Sequence, residues 1–171
     1  TSAHGIIDRM HNEYKKFWSK KRKTKADKMN LTPIEVTILA SIVEQETYMN
    51  DEKPKIAGVY LNRIRKGMKL QADPTIKYIA RERNIKRVLK RHLKIESPYN
   101  TYLNKGLPPG PICIPTVSSI DAVLKNERHS YIFFCAKEDF SGRHNFAVTN
   151  KEHILNARRY QKALNSRKIY K

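Results

Sequence analysis

The segment Leu31-Thr-Pro-Ile-Glu-Val-Thr-Ile-Leu-Ala-Ser-Ile-Val-Glu-Gln-Glu-Thr47 decides how this chain is read. Thr32 is an N-cap residue type, Pro33 suits the first helical position because no partner exists there for an amide hydrogen, and Glu35 can reach back to the Thr32 amide to complete a capping box. With the start fixed, each residue advances roughly 100°, so Val36, Leu39, Ile42 and Val43 share one stripe. Glu46 falls roughly 20° from the Leu39 direction, near the centre of that stripe, whereas Glu44 falls roughly 140° away and is expected to meet water. A carboxyl group on an apolar face resists ionisation and can keep its proton near neutral pH, the state a general acid needs. Capping of its own helix end, or pairing with an arginine, is the competing reading of Glu46.

Downstream, Asp51 and Glu52 precede Pro54, and Ile56, Val59, Tyr60 and Ile64 follow at helical spacing before Arg63, Arg65, Lys66 and Gly67. Acids ahead of a helix, bases in its last turn and glycine after it are terminators, so a second helix should fold back on the first around Glu46. Upstream, Ile6, Ile7, Met10, Tyr14, Phe17 and Trp18 predict an amphipathic helix over residues 4 to about 20 whose apolar face joins the core, with 20–30 a solvated helix end and loop. Met68 to Thr75 reads as extended, and Asp73-Pro74 as the N-cap and first position of a helix to about Asn84. Residues 85–95 are ambiguous, with a short helix the better fit. Residues 97–115, rich in Pro, Gly, Asn and Tyr, must be a stiff loop. A short helix over 118–125, a strand over 130–136, a turn at Asp139 to Gly142, a second strand over 144–148 and a Thr149/Glu152-capped final helix carrying Ile154, Leu155, Tyr160 and Leu164 complete the chain. The pattern predicts one α+β domain over 1–171, helix-dominated, with a small antiparallel sheet and the Pro/Gly-rich loop forming a cleft.

With 171 residues and apolar clusters throughout, the chain can bury one real core. Its formal net charge of +19 predicts attraction to something anionic, and leaves nucleic acid, an acidic membrane surface and a carboxylate-bearing wall polymer open. Cys113 and Cys135 are too few for a four-ligand zinc site; free thiols or a single bridge are the alternatives. No apolar run approaches the ~18 residues of a membrane span and no signal peptide is visible at Thr1, so either a cytoplasmic protein or a fragment freed of its targeting segment is expected.

The sequence holds no phosphate-binding glycine loop, no Gly-x-Ser-x-Gly elbow and no His-Glu-x-x-His, which argues against nucleotide, serine-hydrolase and zinc chemistry. A two-carboxylate glycosidase would need a second acid ~5–10 Å from Glu46. Asp73 is the better candidate, although N-capping competes for it. Gln71, Asp73 and Thr75 alternate, which would turn three polar groups to one face of a cleft or form a polar turn. Tyr99, Asn100 and Tyr102 suit sugar stacking and hydroxyl recognition, or pack a loop. His144 at a strand start is a structural histidine or a site residue.

Taken together, Ala40-Ser-Ile-Val-Glu-Gln-Glu-Thr47, Val59-Tyr-Leu-Asn-Arg63, Gly67-Met-Lys-Leu-Gln-Ala-Asp-Pro-Thr75, Tyr99-Asn-Thr-Tyr102, Gly106-Leu-Pro-Pro-Gly-Pro-Ile112, and Tyr131-Ile-Phe-Phe134 followed by His144-Asn-Phe146 resemble, in order, the catalytic domain of the MltG, or YceG-like, endolytic murein transglycosylases. The resemblance implies cleavage of the β-1,4 bond between N-acetylmuramic acid and N-acetylglucosamine with 1,6-anhydromuramyl ends as product. It implies Glu46 as the catalytic acid and Gln71, Asp73, Thr75, Tyr99, Asn100, Tyr102 and His144 as substrate-binding residues, with no metal and no cofactor. Partners implied are peptidoglycan glycan strands and cell-wall synthesis proteins, not nucleic acid. Similar proteins carry an N-terminal membrane anchor and a LysM-like module, so a soluble fragment of an envelope protein at the periplasmic face of the inner membrane is expected, with membrane contact only through the anchor. Alanine stands at position 72 where the family has threonine. A non-catalytic peptidoglycan- or nucleic-acid-binding basic module is the alternative, and a water-using muramidase a third.

Overall fold

The computed structural model describes residues 2–80 and 88–167, and the structural statements that follow concern those residues. In chain order they form α1 (Ala3–Phe17), α2 (Lys20–Asp27), α3 (Pro33–Glu46), α4 (Lys53–Arg65), α5 (Asp73–Ile79), a 3-10 turn at His92–Lys94, α6 (Val117–Leu124), β1 (Phe133–Ala136), β2 (His144–Ala147) and α7 (Asn150–Ser166). This is the α+β architecture expected, with one small antiparallel sheet in which Phe133 faces Ala147 and Ala136 faces His144.

α3 is the axis of the fold. Its capping box forms as the sequence predicts: the Glu35 amide donates to Thr32 Oγ1 at 3.2 Å, and the Thr32 amide donates to Glu35 Oε2 at 2.7 Å. The helix is buried on more than the predicted stripe, because Ile38, Ala40 and Ser41 are buried along with Val36, Leu39, Ile42 and Val43. The extra face is covered by α6, with α2, α4 and α5 around the rest. A helix apolar all round belongs in the middle of a core. The hairpin of α3 and α4 is present, and Ile56, Ala57, Tyr60 and Leu61 bring the α4 face into that core. The final helix also opens on the predicted box, with the Glu152 amide donating to Thr149 Oγ1 at 3.2 Å.

Four expectations need correction. The apolar face of α1 does not join the core: Ile6, Ile7, Met10 and Tyr14 are exposed, and only Trp18, just past the helix, is buried. Periodicity establishes an apolar face but not its partner, and no described element covers this one. Lys20 to Asp27 forms a helix of its own, anchored by buried Ala26. In α7, Ile154 and Leu155 are exposed. Ala72 rather than Asp73 is the N-cap of α5, and the helix stops at Ile79 because Ala80 is extended. Residues 81–87, which carry the rest of the predicted helix to Asn84 and the start of the ambiguous 85–95 stretch, lie outside the described residues. Cys113 and Cys135 are free and half-buried.

The loop over 97–115 is fastened at both ends. Asn100, fully buried, donates to the carbonyls of Leu93 (3.1 Å) and Ile95 (2.8 Å). The Ile112 amide donates to Ser41 Oγ on α3 at 3.0 Å.

Candidate active site

Glu46 is the last residue of α3; Thr47 after it is extended and buried, which turns the chain away and leaves the Glu46 carboxyl at the floor of a cleft of about 540 Å³. That size lies within the ~300–1,000 Å³ of small-ligand sites. One wall comes from α4 and the segment before α5, with Tyr60, Arg63, Gln71, Asp73 and Tyr102; the other comes from the hairpin and the start of α7, with Phe134, His144 and His153.

Each side chain has a local reason for its place. Tyr60 and Arg63 lie one turn apart on the α4 face that meets α3. Tyr60 is buried against the edge of Phe134, ring centres 5.8 Å apart, and its hydroxyl donates to Glu46 Oε1. Arg63 donates through Nε to the Lys69 carbonyl (2.9 Å), through Nη1 to the Ile132 carbonyl (3.0 Å), and through Nη2 to Gln71 Oε1. Gln71 adopts a left-handed backbone with φ of +51°, held by its amide on the Thr101 carbonyl at 3.0 Å. Asp73 opens α5 and accepts the Tyr102 hydroxyl at 2.5 Å. Across the cleft, Glu52 receives the His144 backbone amide at 3.2 Å and sits 2.9 Å from His144 Nδ1, which fixes the ring. His153 stacks on Phe133 with ring centres 5.1 Å apart.

Burial pushes the Glu46 pKa up to about 7; the Tyr60 hydrogen bond works against the rise, the Asp73 charge adds to it, and the Lys77 charge opposes it. Burial, reinforced by the Glu46 charge, keeps the Tyr60 phenol protonated well above its ordinary value. Glu46 therefore sits where a carboxylic acid can both give a proton and take one back near neutral pH.

Glu44 meets a different fate from the one expected. It is not solvated: the Ser119 hydroxyl (2.5 Å), the Thr116 hydroxyl (2.6 Å) and the Thr116 amide (3.2 Å) all donate to it, with Lys53 Nζ 3.4 Å away. Burial alone would raise its pKa, but these donors and the Lys53 charge bring it down to about 2. It is a fixed anion joining α3, α4 and α6.

Of the site residues the sequence predicts, Glu46, Gln71, Asp73, Tyr102 and His144 converge on the cleft. Thr75, Asn100 and Tyr99 do not line it. Thr75 is fully buried, donating to the Ala72 carbonyl at 2.7 Å and 2.9 Å from Thr101 Oγ1; the alternation that would have exposed it ends when α5 begins at Asp73. Asn100 is the loop fastener already described. Tyr99 lies against Tyr78, ring centres 5.0 Å apart, and so close to Gly110 that a Cβ there would come within 2.7 Å of its hydroxyl. Sequence reading missed Tyr60, Arg63, Glu52 and His153 as site residues. The one-turn spacing of Tyr60 and Arg63 was the available signal. Ala72, in the place of threonine, is buried and donates its amide to Thr101 Oγ1 at 2.9 Å, so the segment needs no hydroxyl there. Among the described residues no three His, Cys, Asp or Glu side chains converge as a metal site would require.

Comparison with known proteins identifies relatives of the chain as a whole. The model of the YceG-like family matches residues 1–159. An endolytic murein transglycosylase of Bacillus subtilis (strain 168) is 38% identical over 145 residues, covering 85% of this chain and 39% of that protein. One from Streptococcus pneumoniae serotype 2 is 30% identical over 160 residues, covering 91% of this chain and 29% of that protein. The chain thus spans well under half the length of these relatives. A crystal structure of a yceG-like protein from Listeria monocytogenes superposes with a TM-score of 0.78 at 35% identity, covering 91% of this chain and 50% of that one. The six ordered motifs, the fold around α3 and these matches lead to one conclusion: the chain belongs to the YceG-like family.

Proposed function

We propose that this chain is the catalytic part of an endolytic murein lytic transglycosylase acting on peptidoglycan strands in the cell envelope. The observation that carries the reading is Glu46: one half-buried carboxyl group at the floor of an open cleft, with a pKa near neutrality, on a chain whose relatives are named for this activity. No helix among the described residues is long and apolar enough to cross a membrane.

The reaction needs one acid that becomes one base. Protonated Glu46 gives its proton to the glycosidic oxygen, and the C1–O4 bond breaks with its electron pair going to the leaving N-acetylglucosamine. The muramyl C6 oxygen bonds to C1 and its proton passes to the Glu46 carboxylate, which regenerates the acid. No water is consumed, and the product is a 1,6-anhydro end. A group with a pKa near the working pH serves both halves of such a cycle. Tyr60 donates to Glu46 throughout and stabilises it most strongly when it is ionised. Gln71, held by Arg63, and His144, held by Glu52, present polar atoms on opposite walls for sugar hydroxyl and amide groups, and Asp73, engaged by Tyr102, lines the cleft beside Gln71.

Asp73 supports a second reading. It is a second carboxylate in the cleft, which a water-activating hydrolase would need. Its oxygen is engaged by Tyr102, which favours a positioning role. Mass spectrometry of products from purified glycan strands separates the two: anhydro ends are expected, lost in Glu46→Gln and retained at reduced rate in Asp73→Asn. Reducing ends would establish the hydrolase instead, and full activity of Glu46→Gln would overturn both readings.

A further inference from the structure

A second concavity, of about 330 Å³, is lined in part by sequence neighbours of the cleft residues. Gln45 and Tyr48 line it and flank Glu46 in sequence, while Pro74, which also lines it, follows the cleft residue Asp73. Lys77, one helical turn after Pro74 on α5, lines it too, and its charge is felt at Glu46. The two hollows thus draw on neighbouring residues at Gln45–Glu46 and at Asp73–Pro74.

The composition of this second hollow has no structural explanation. Tyr48 is 96% exposed and Tyr78 51%, so both rings offer apolar surface to a ligand. Tyr78 is held from behind by Tyr99 at 5.0 Å, and Tyr99 in turn rests on Gly110, so the Pro/Gly loop backs the ring and keeps it in place. Among the described residues Lys77 makes no ion pair, and the exposed Gln45 side chain makes no hydrogen bond. Rings that present a flat apolar face, beside one amide and one free cation, fit a pyranose whose C–H face stacks and whose substituents hydrogen-bond.

We propose that Tyr48, Tyr78, Gln45 and Lys77 form an outlying sugar subsite that binds the glycan strand beyond the bond being cleaved, with Lys77 placed for a carboxylate on the strand's peptide stem. The inference rests on the murein reading of the cleft. A strand cleaved internally must continue past the acid on both sides, and a hollow lined by the sequence neighbours of Glu46 and Asp73 lies where such a strand can reach it. Strands long enough to reach it gain contacts that short ones lack, so the subsite makes the enzyme read strand length.

Two measurements test this independently. In the first, strands of four sugars and strands of more than ten disaccharides are titrated against the Glu46→Gln protein, with and without Tyr48→Ala/Tyr78→Ala. The aromatic substitutions are expected to weaken long-strand binding about tenfold, the loss of a small set of anchor contacts, and to leave short-strand binding unchanged. In the second, turnover is measured with Glu46 intact, where KM for long strands should rise by a similar factor while kcat holds. Tyr48→Ala alone guards against misfolding, since that side chain is almost wholly in water; it should show the same length-selective loss, in smaller measure. Lys77→Gln should weaken binding only of strands that carry peptide stems. Equal loss on short and long strands, or no loss on either, overturns the subsite. Length-selective binding without any turnover would leave the subsite standing and refute the catalytic reading instead.

Discussion

Replacing Tyr60 by Phe removes one oxygen and keeps the ring, so it isolates what the phenol does to Glu46. The Tyr60 hydroxyl donates to the Glu46 carboxyl, and after burial it is the largest influence on a pKa of about 7. A hydrogen bond to a charged group is worth ~1.5–3 kcal/mol, and the protonated acid keeps part of it by accepting on its carbonyl oxygen. A differential loss of ~1.4 kcal/mol corresponds to one pKa unit, so the Glu46 pKa in Tyr60→Phe should rise by about one, to about 8. Because Glu46 acts first as an acid, kcat/KM for anhydromuropeptide release should fall as pH rises through its pKa. The variant's alkaline midpoint should therefore stand about one unit above that of the parent, leaving it relatively more active on the alkaline side. The assay is product release from purified strands across the neutral range, with a thermal melt to confirm that the ring still packs on Phe134. A midpoint that stays put, or moves down, would refute the assignment of Glu46 as an acid tuned by Tyr60.

Three further predictions concern the same helix and its neighbours. The folded pKa of Glu46, about 7, lies above its ordinary 4.5, so the associated stability is full below pH 4.5 and is lost as pH rises through 7; Glu46→Gln should thus be about 3 kcal/mol more stable than the parent in urea at alkaline pH and should converge with it in acid. Glu44 is the reverse case: with a folded pKa of about 2 against 4.5, it stabilises the protein above pH 4.5, and that contribution drains away as pH falls toward 2. Glu44→Gln should cost ~2–4 kcal/mol at neutral pH, because it breaks the buried ion pair with Lys53, while the folded fraction still cleaves strands; a dead but stable Glu44→Gln would exchange the roles assigned to the two acids. Asn100→Ala should lower stability by ~2–3 kcal/mol through the freed Leu93 and Ile95 carbonyls, with KM on strands unchanged. A raised KM in a protein of normal stability would restore Asn100 to the binding site.

Local signals in the sequence proved strong where the physics is local. Both capping boxes, at Thr32/Glu35 and Thr149/Glu152, formed with the predicted partners, since they involve only residues three apart. The hairpin strands were legible from β-branched and aromatic runs around a turn. What sequence could not supply was the identity of the partner across space. The α1 stripe of Ile6, Ile7, Met10 and Tyr14 has the periodicity of a core helix and lies exposed, because periodicity reports a face and not what covers it. Alternation for Thr75, the Tyr-flanked motif for Asn100, and the family resemblance for both point to the cleft, but none of these signals reports burial. Both are buried instead, where their hydrogen bonds hold the 71–75 segment and the 97–104 loop in place. Glu52 and His153 carried no signal: Glu52 enters the site only through His144, and His153 reaches the cleft only once α7 packs on the hairpin.

The two acids of α3 show why phase alone was not enough. Glu44 and Glu46 are two residues apart on one helix, yet one is held near pKa 2 and the other near 7. Helical phase separates their directions, but α3 is covered on both sides, so neither points to bulk water. The donors each one meets decide the difference. Glu44 receives two hydroxyls and an amide at the start of α6, with Lys53 beside it, enough to overcome burial. Glu46 receives one phenol. Arg63, one turn beyond Tyr60 on α4 and also lining the cleft, is committed to two backbone carbonyls and to Gln71, so its five-donor fork has been turned to building the wall of the cleft. Withholding that cation from Glu46 keeps its acid protonated near neutrality: an arginine free to pair with it would pull the pKa down by ~1–3 units and leave a carboxylate with no proton to give.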